Sequence, residues 1–329
     1  MRVLVTGGAG YVGSHCLRRL LAAGHEAVVY DNLFQGHREA VPSGLLVEGD
    51  LNDEPKLTAL LRDRKIDAVM HFAALALVGE SVQKPDLYYR NNVVGSFHLL
   101  ETMRQAGVRQ IVVSSTTATY GTPEKMPIVE STPQQPINPY GFSKLVLEHM
   151  LDDYAAAYGF GFAALRYFNA AGAATDASIG EDHTPESHLI PIVLQVALGQ
   201  RESISIFGDD YPTPDGTCVR DYVHVEDLAT AHLAALERLQ AGKSIKVNLG
   251  TGRGYSVREV IDACRKVTGH AIPAITAPRR PGDPPELVAD ARLARSVLNW
   301  TPQHTTIESI VETAWRWHQS HPRGYRSKG

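Results

Sequence analysis

In the stretch Asn-Pro-Tyr-Gly-Phe-Ser-Lys (138–144) a phenol and an ammonium stand four residues apart, at Tyr140 and Lys144. Asn138 can cap a helix whose first position is Pro139. Both side chains would then lie on one face, near the positive end of that helix. A free tyrosine, with a pKa near 10, is ionised in only about one molecule in a thousand at pH 7. Lowering that pKa by ~3 units takes roughly 4 kcal/mol of preferential phenolate stabilisation. A partly buried ammonium, a helix N-terminus and a further nearby cation could supply it together. The chemistry on offer is proton abstraction from a hydroxyl. The spacing alone is commonplace, however, and an exposed helix face or a half-buried core tyrosine would also produce it.

The N-terminus gives the pair a context. Thr-Gly-Gly-Ala-Gly-Tyr-Val-Gly-Ser-His (6–15) follows a first apolar run and opens an amphipathic one. Gly7, Gly10 and Gly13 are spaced G-x-x-G-x-x-G, with Tyr11 and Val12 between the last two. Missing side chains let such a turn tighten and let backbone N–H groups approach a pyrophosphate. The helix N-terminus adds partial positive charge. Asp31 ends the second apolar run and Asn32 follows it. The carboxylate can accept from both ribose hydroxyls and would repel a 2′-phosphate, which favours NAD over NADP. Asp50 and Leu51 end the third run, where Asp50 suits an adenine contact or a helix cap equally. An oxidised nicotinamide would be the further cation beside Tyr140.

These residues need a scaffold, and the sequence describes one. Apolar runs at 2–8, 26–31, 45–50, 68–73, 110–115 and 162–168 lack polar alternation, as parallel strands covered on both faces do. Helical patterns at 12–23, 54–64, 92–106 and 140–157 separate them. The expected fold is α/β, a doubly wound parallel Rossmann-type sheet. After about residue 172 the texture changes. Segments 174–186 and 207–217 read as loops, 223–241 as a helix and 245–250 as a strand. The expected division is a cofactor domain over 1–172, to which 222–250 returns, and a smaller interleaved substrate domain over 173–329.

Composition narrows the classes. The 329 residues are 43% hydrophobic, and 32 Lys+Arg against 36 Asp+Glu leave a net charge of −4 without long single-sign runs. Nothing there suggests a nucleic-acid or membrane surface. Cys16, Cys218 and Cys264 are scattered, which suits a reduced cytoplasmic protein better than a disulfide or zinc framework. Glycines interrupt the N-terminus where a secretory signal needs an apolar core, and no apolar run approaches the roughly 20 residues of a membrane span. No metal site is expected: His71, His188 and His224 lack the i, i+4 zinc spacing with a carboxylate partner.

Seven segments together, TGGAGYVGSH, HFAALALVGESV, SSTTATYG, NPYGFSK, LRYFNAAGA, FGDDYPTPDGTCVRDYVHV and APRRPGD, resemble the extended short-chain dehydrogenase/reductases. Within them the chain, from residue 1 to about 325, is most similar to the 4-epimerases of UDP-glucose. The resemblance implies a Thr116–Tyr140–Lys144 triad. Tyr140 would be general base on the sugar 4-hydroxyl, and hydride would pass from C4 to NAD. The 4-keto sugar would turn over and receive hydride on its other face, interconverting UDP-glucose and UDP-galactose. Threonine replaces the serine of many relatives and keeps the hydroxyl.

By the same resemblance Phe72, Ala73 and Ala74 border the cofactor, and Asn91, Ser114 and Tyr167 line the nicotinamide region. Asn169, His188 and Leu189 would contact the nucleotide sugar, and Phe207 the uracil. Arg220 and Arg280 would neutralise the diphosphate, a task suited to a guanidinium fork, and Asp283 would orient the ribose. Two positions depart from the pattern. Ala76 stands where some relatives carry a phosphate-contacting lysine. Leu287 stands where a tyrosine excludes N-acetylated sugars in some members and smaller residues admit them in others. Epimerases of UDP-GlcNAc/GalNAc or UDP-pentoses therefore stay open. A 4,6-dehydratase or decarboxylase is disfavoured, because Thr116 is followed by Thr117 and Ala118 rather than a carboxyl group. A non-catalytic NAD-binding protein would not need the complete triad. Relatives dimerise through helices matching 92–106 and 140–157, so a homodimer is implied.

Overall fold

Runs too apolar to leave one face in water form a seven-stranded parallel sheet. The computed structural model describes residues 1–280 and 283–325. The sheet contains β1 (Arg2–Thr6), β2 (Glu26–Asp31), β3 (Leu46–Glu48), β4 (Ala68–His71), β5 (Gln110–Thr116) and β6 (Gly161–Tyr167). After β7 (Asn169–Ala171), β8 (Ile204–Phe207) and β9 (Val219–His224), which lie elsewhere, β10 (Ser244–Leu249) returns and pairs with β6. The order is β10-β6-β5-β4-β1-β2-β3, so the connections reverse direction between β1 and β4. In such sheets ligands bind beyond the carboxyl ends of the strands at that reversal.

Helices cover both faces. α1 (Tyr11–Ala22) packs on one, α2 (Glu54–Asp63) on the other. Beyond β4 come the short α3 (Val78–Gln83) and α4 (Pro85–Tyr88), then a single π-helical turn, Tyr89–Val94, that continues into α5 (Gly95–Ala106). The expected helix over 92–106 thus begins with a widened turn. Widened turns of this kind cluster at functional sites, and this one presents Asn91 and Asn92. α6 (Pro139–Tyr158) runs beside α5. α7 (Leu189–Ala197) belongs to the second layer, whereas α8 (Val225–Leu236) lies against α1 on the large sheet.

The expected helix over 223–241 is shorter at both ends. Tyr222, Val223 and His224 belong to β9, and the His224 ring stops the strand by accepting the Glu226 N–H at 3.1 Å. The second layer joins β7 and β9 in parallel and adds β11 (Gly254–Ser256). α9 (Val257–Thr268) follows, then β12 (Ala274–Ala277) beside β8 and β13 (Glu286–Leu287) beside β9. α10 (Arg292–Leu298) crosses back: Ala291, Ala294, Leu298 and Trp300 join the core of the large sheet. α11 (Ile307–Ser320) packs on α7 and α9. Among the described residues no helix is long and apolar enough to cross a membrane.

Buried polar groups tie the layers together. Glu148 of α6 and Arg166 of β6 form an ion pair with side chains only 2% and 3% exposed. Arg166 also donates to the Tyr120 hydroxyl at 2.6 Å, and that hydroxyl donates to Asn248 of β10 at 2.8 Å. His71 sits between the Thr6 and Ser96 hydroxyls at 2.7 and 3.0 Å, as a satisfied core residue does. Burial depresses the imidazoles of His71, His224 and His232 to about 3, 2 and 4. Each stays neutral in the folded chain at pH 5, while an unfolded imidazole takes a proton below about 6.5. Their stabilisation is therefore complete above pH 6.5 and is lost as pH falls, by about 1.4 kcal/mol per pH unit per histidine. The urea midpoint should drop between pH 7.5 and 5.0, and a midpoint that stays level across that range would contradict the argument.

Candidate active site

The turn after β1 is built by what glycine lacks. Gly7 has φ +70°, and a Cβ there would stand 2.4 Å from the Ala73 nitrogen. A Cβ on Gly13 would stand 2.2 Å from the Gly7 carbonyl oxygen, so α1 approaches the turn as only glycine allows. At Gly10 the nearest neighbour would be 3.3 Å away, which leaves that backbone open to the cleft. The cleft is lined by Gly7, Gly10, Asp31, Asn32, Asp50, Leu51, Phe72, Ala73, Ala74 and Asn91, all expected from sequence. Phe34, Gln35, Gly36 and Asn52 line it too and were not foreseen. A Cβ on Gly36 would press on Ala9 and Asp31 at 2.9 and 3.0 Å.

Asp31 does more than face a ribose. Its two oxygens accept the Ala9 and Leu33 N–H groups at 2.9 and 2.8 Å, which ties the end of β2 to the glycine turn. Burial raises its pKa, and those N–H groups oppose the shift. Asp50 accepts from the Asn32 amide at 2.8 Å and from the Asn52 backbone and amide at 2.9 and 2.7 Å. Tyr11 and Val12 point away from the cleft. Tyr11 donates to the Gly172 carbonyl at 2.6 Å, and Val12 packs on the core. A cleft floored by side-chain-free backbone and closed by a carboxylate fits a dinucleotide.

The triad residues are not among those lining this cleft; they sit at the end of β5 and in the first turns of α6. Asn138 caps α6 by accepting the Gly141 N–H at 2.8 Å. That places the half-buried Tyr140 in the first turn of α6, where Thr116 acts on its phenol to lower the pKa. Thr116 is held at the end of β5 and accepts the Ala118 N–H at 3.1 Å. Lys144 is 4% exposed and donates from Nζ to the Ser114 carbonyl at 2.9 Å. Burial lowers its ammonium to about 8, with Glu148 one turn on opposing the shift. Ser114 and Tyr167 share a hydrogen bond between their hydroxyls. Burial raises the Tyr140 pKa even though Thr116 pulls it down. The surrounding protein therefore holds this phenol above, not below, its ordinary value.

Asn92 is a positioning residue that the sequence reading missed in favour of its neighbour. Its buried amide accepts the Leu75 N–H at 2.8 Å, donates to the Leu75 carbonyl at 3.0 Å and reaches Ser143 at 3.1 Å. It thereby locks the cleft wall to α6. Only its sequence neighbourhood on the helical face, one residue past Asn91, could have signalled it.

Across the cleft the second layer gathers the remaining candidates. Arg220 pairs with Asp283 and donates to the Val219 carbonyl at 2.8 Å. The Arg280 guanidinium lies 4.0 Å above the centre of the Phe207 ring. β13 sets Leu287 beside Arg220. Asn169 donates to the Asp221 carbonyl at 3.2 Å. His188 caps α7 and Leu189 begins it. Comparing His188 with the distant His71 and His224 misses its true neighbours: Glu181, His183 and Glu186 converge on it. Ala76 is exposed.

The family model for the NAD dependent epimerase/dehydratase family matches residues 3–250. This chain belongs to that family. UDP-glucose 4-epimerase of Halalkalibacterium halodurans is 54% identical over 329 residues, covering 100% of this chain and 98% of the relative. Among solved structures, UDP-glucose 4-epimerase from Brucella ovis in complex with NAD superposes with a TM-score of 0.93 at 50% identity, over 95% of this chain and 97% of that one. The Bifidobacterium longum enzyme in complex with NAD+ and UDP gives a TM-score of 0.94 at 40% identity, over 99% and 100%. As a member of this NAD-dependent family the chain should lose its cofactor when the turn is filled. Gly13→Ala should reduce co-purifying NAD at least tenfold, measured after acid release, and full retention would show that the turn yields more than its contacts allow.

Proposed function

We propose that the chain is a 4-epimerase that interconverts UDP-glucose and UDP-galactose with NAD as its bound cofactor. The observation that carries this reading is the placement of Thr116 at the end of β5 and Tyr140 in the first turn of α6, with Lys144 buried one turn further on. When bound, NAD supplies the two-electron acceptor that oxidises the sugar C4 alcohol and then restores it. The chain handles the proton. Tyr140 takes it from the 4-hydroxyl, and Thr116 holds the reacting oxygen and orients the phenol. Lys144, anchored on the Ser114 carbonyl, stabilises the phenolate at short range in a poorly solvated site. After the ketone has presented its other face, Tyr140 returns the proton to O4.

Beyond Thr116 the chain carries the buried Thr117 and Thr119, whose hydroxyls are spent on the Tyr167 and Thr116 carbonyls. No carboxylate stands there to expel water from the sugar, which supports epimerisation over dehydration. Arg220 and Arg280 would hold the diphosphate, Phe207 and Asp283 the uridine, and Asn169 and Leu189 the sugar side, whereas His188 is turned toward Glu181 and Glu186. Leu287 beside Arg220 would set tolerance for a bulky 2-substituent. Proton NMR of UDP-galactose with the purified protein, without added NAD, should show UDP-glucose signals appear. Tyr140→Phe should slow conversion roughly 100- to 10,000-fold with bound NAD unchanged. A variant as fast as the parent would end the assignment of Tyr140 as base.

We also propose a homodimer built on α5 and α6. Phe97 and Phe142 are 45% and 47% exposed there, and Tyr89 meets Phe142 edge-on at 6.3 Å, an apolar surface of the kind that marks an interface. Sedimentation velocity should give a dimer for the parent and a monomer for Phe97→Lys/Phe142→Lys. A parent that sediments as a monomer would refute the assembly. The buried free thiols Cys16, Cys218 and Cys264 suit a cytoplasmic setting.

A further inference from the structure

Between β7 and α7 the chain reads Glu-Asp-His-Thr-Pro-Glu-Ser-His (181–188). Folded as a loop, it brings one ligand atom from each of Glu181, His183, Glu186 and His188 within 4.8 Å of all the others. Glu181 Oε1 lies 3.2 Å from His183 Nδ1 and 2.8 Å from His188 Nδ1. Glu186 Oε2 lies 3.7 Å from His183 Nδ1, and its Oε1 lies 3.0 Å from His188 Nδ1. A tetrahedral zinc with bonds of about 2.0–2.1 Å separates its ligand atoms by about 3.3 Å. The four separations, 2.8–3.7 Å, bracket that value, with His183 facing Oε2 of Glu186 and His188 its Oε1.

The second observation is a buried oxygen with no hydrogen bond. Glu181 is 4% exposed, yet its Oε1 has no hydrogen-bond partner despite two imidazole nitrogens at short range, and the buried His183 Nδ1 has none either. Buried polar atoms are nearly always bonded. The Glu181 oxygen thus lies between two imidazole nitrogens without a hydrogen bond to either, whereas His188 Nδ1 hydrogen-bonds Glu186 Oε1 at 3.0 Å. Glu186 is braced differently: its Oε1 accepts the Ser187 and His188 N–H groups at 2.8 Å each, which fixes the carboxylate. Trp317 donates to the Glu181 carbonyl at 3.1 Å, and the Tyr11 ring meets His183 edge-on at 6.2 Å. The cluster is thus supported by α11 on one side and by the first residue of α1 on the other.

We propose that Glu181, His183, Glu186 and His188 form a four-ligand site for a divalent transition ion of the zinc class, which would fix the shape of the loop before α7. Two imidazoles and two carboxylates suit such an ion rather than magnesium or calcium, which prefer oxygen alone. Four protein ligands leave no open position, so the role is structural. The competing arrangement is a metal-free group of two imidazoliums and two carboxylates.

Tag-free holoenzyme should be stripped with a chelator, supplied with zinc chloride, desalted and assayed for metal by mass spectrometry. One zinc per chain is expected, falling below about 0.2 in His183→Ala. The same apo-metal protein titrated with cobalt(II) should develop the intense visible bands of tetrahedral coordination, saturating at one equivalent. Bound NAD, measured in parallel, reports whether the variant has folded. Zinc should raise the melting temperature of the parent and leave that of His183→Ala unchanged. Substoichiometric zinc in the parent, weak octahedral-type cobalt bands, or equal zinc in a folded His183→Ala would each overturn the site in favour of the metal-free group. The inference stands apart from the proposed epimerase activity, because no readout depends on turnover.

Discussion

One buried ion pair fixes the geometry on which everything else depends. Glu148 and Arg166 meet between α6 and β6 with almost no exposure. Charges so placed are held by one another and by their hydrogen bonds, and the loss of either partner costs about 3–5 kcal/mol. Ser115 donates to Glu148 as well, so β5, β6 and α6 share one polar knot. Lys144 lies one helical turn above it and Tyr140 one turn above Lys144. The knot therefore sets the rotation of α6, and with it the line from phenol to ammonium. The buried carboxylate also favours the charged form of Lys144, against burial that discourages it.

The same economy appears around the cleft. Asp31, which could serve a ligand alone, holds two backbone N–H groups of the turn and of the following loop. Asn92, hidden behind the cleft wall, joins Leu75 to Ser143. Binding groups here are themselves part of the framework, so the cleft is shaped before anything enters it. Such preorganisation reduces the ordering that binding would otherwise cost.

Much of this was legible in the sequence, for physical reasons that differ by region. The large sheet announced itself because parallel strands covered on both faces must be uniformly apolar. The glycine turn did so because only glycine fits contacts of 2.2–2.4 Å. The second layer was harder to read. β7, β11 and β13 have three, three and two residues, too short for any periodicity to emerge. His224 looked like a helical residue and instead ends β9 as a cap. α10 returns to the large core after a Pro-rich stretch, which no local pattern reveals. The Glu181–His188 cluster escaped because metal spacing was sought at helical intervals, and this one lies on a loop. Asn92 escaped because its role depends on partners 17 and 51 residues away.

The return of β10 to the edge of the large sheet bears on how the protein is made. β6 is buried along all seven residues, yet its outer neighbour is synthesised only after the chain has built β7, α7, β8, β9 and α8. At about 5–20 residues per second, β6 waits on the order of 4–15 seconds on the ribosome with one edge unpaired. An apolar edge of this kind is a template for unwanted pairing. A nascent chain halted near residue 172 would therefore be a substrate for chaperones rather than a finished module, and the two layers must mature as one unit.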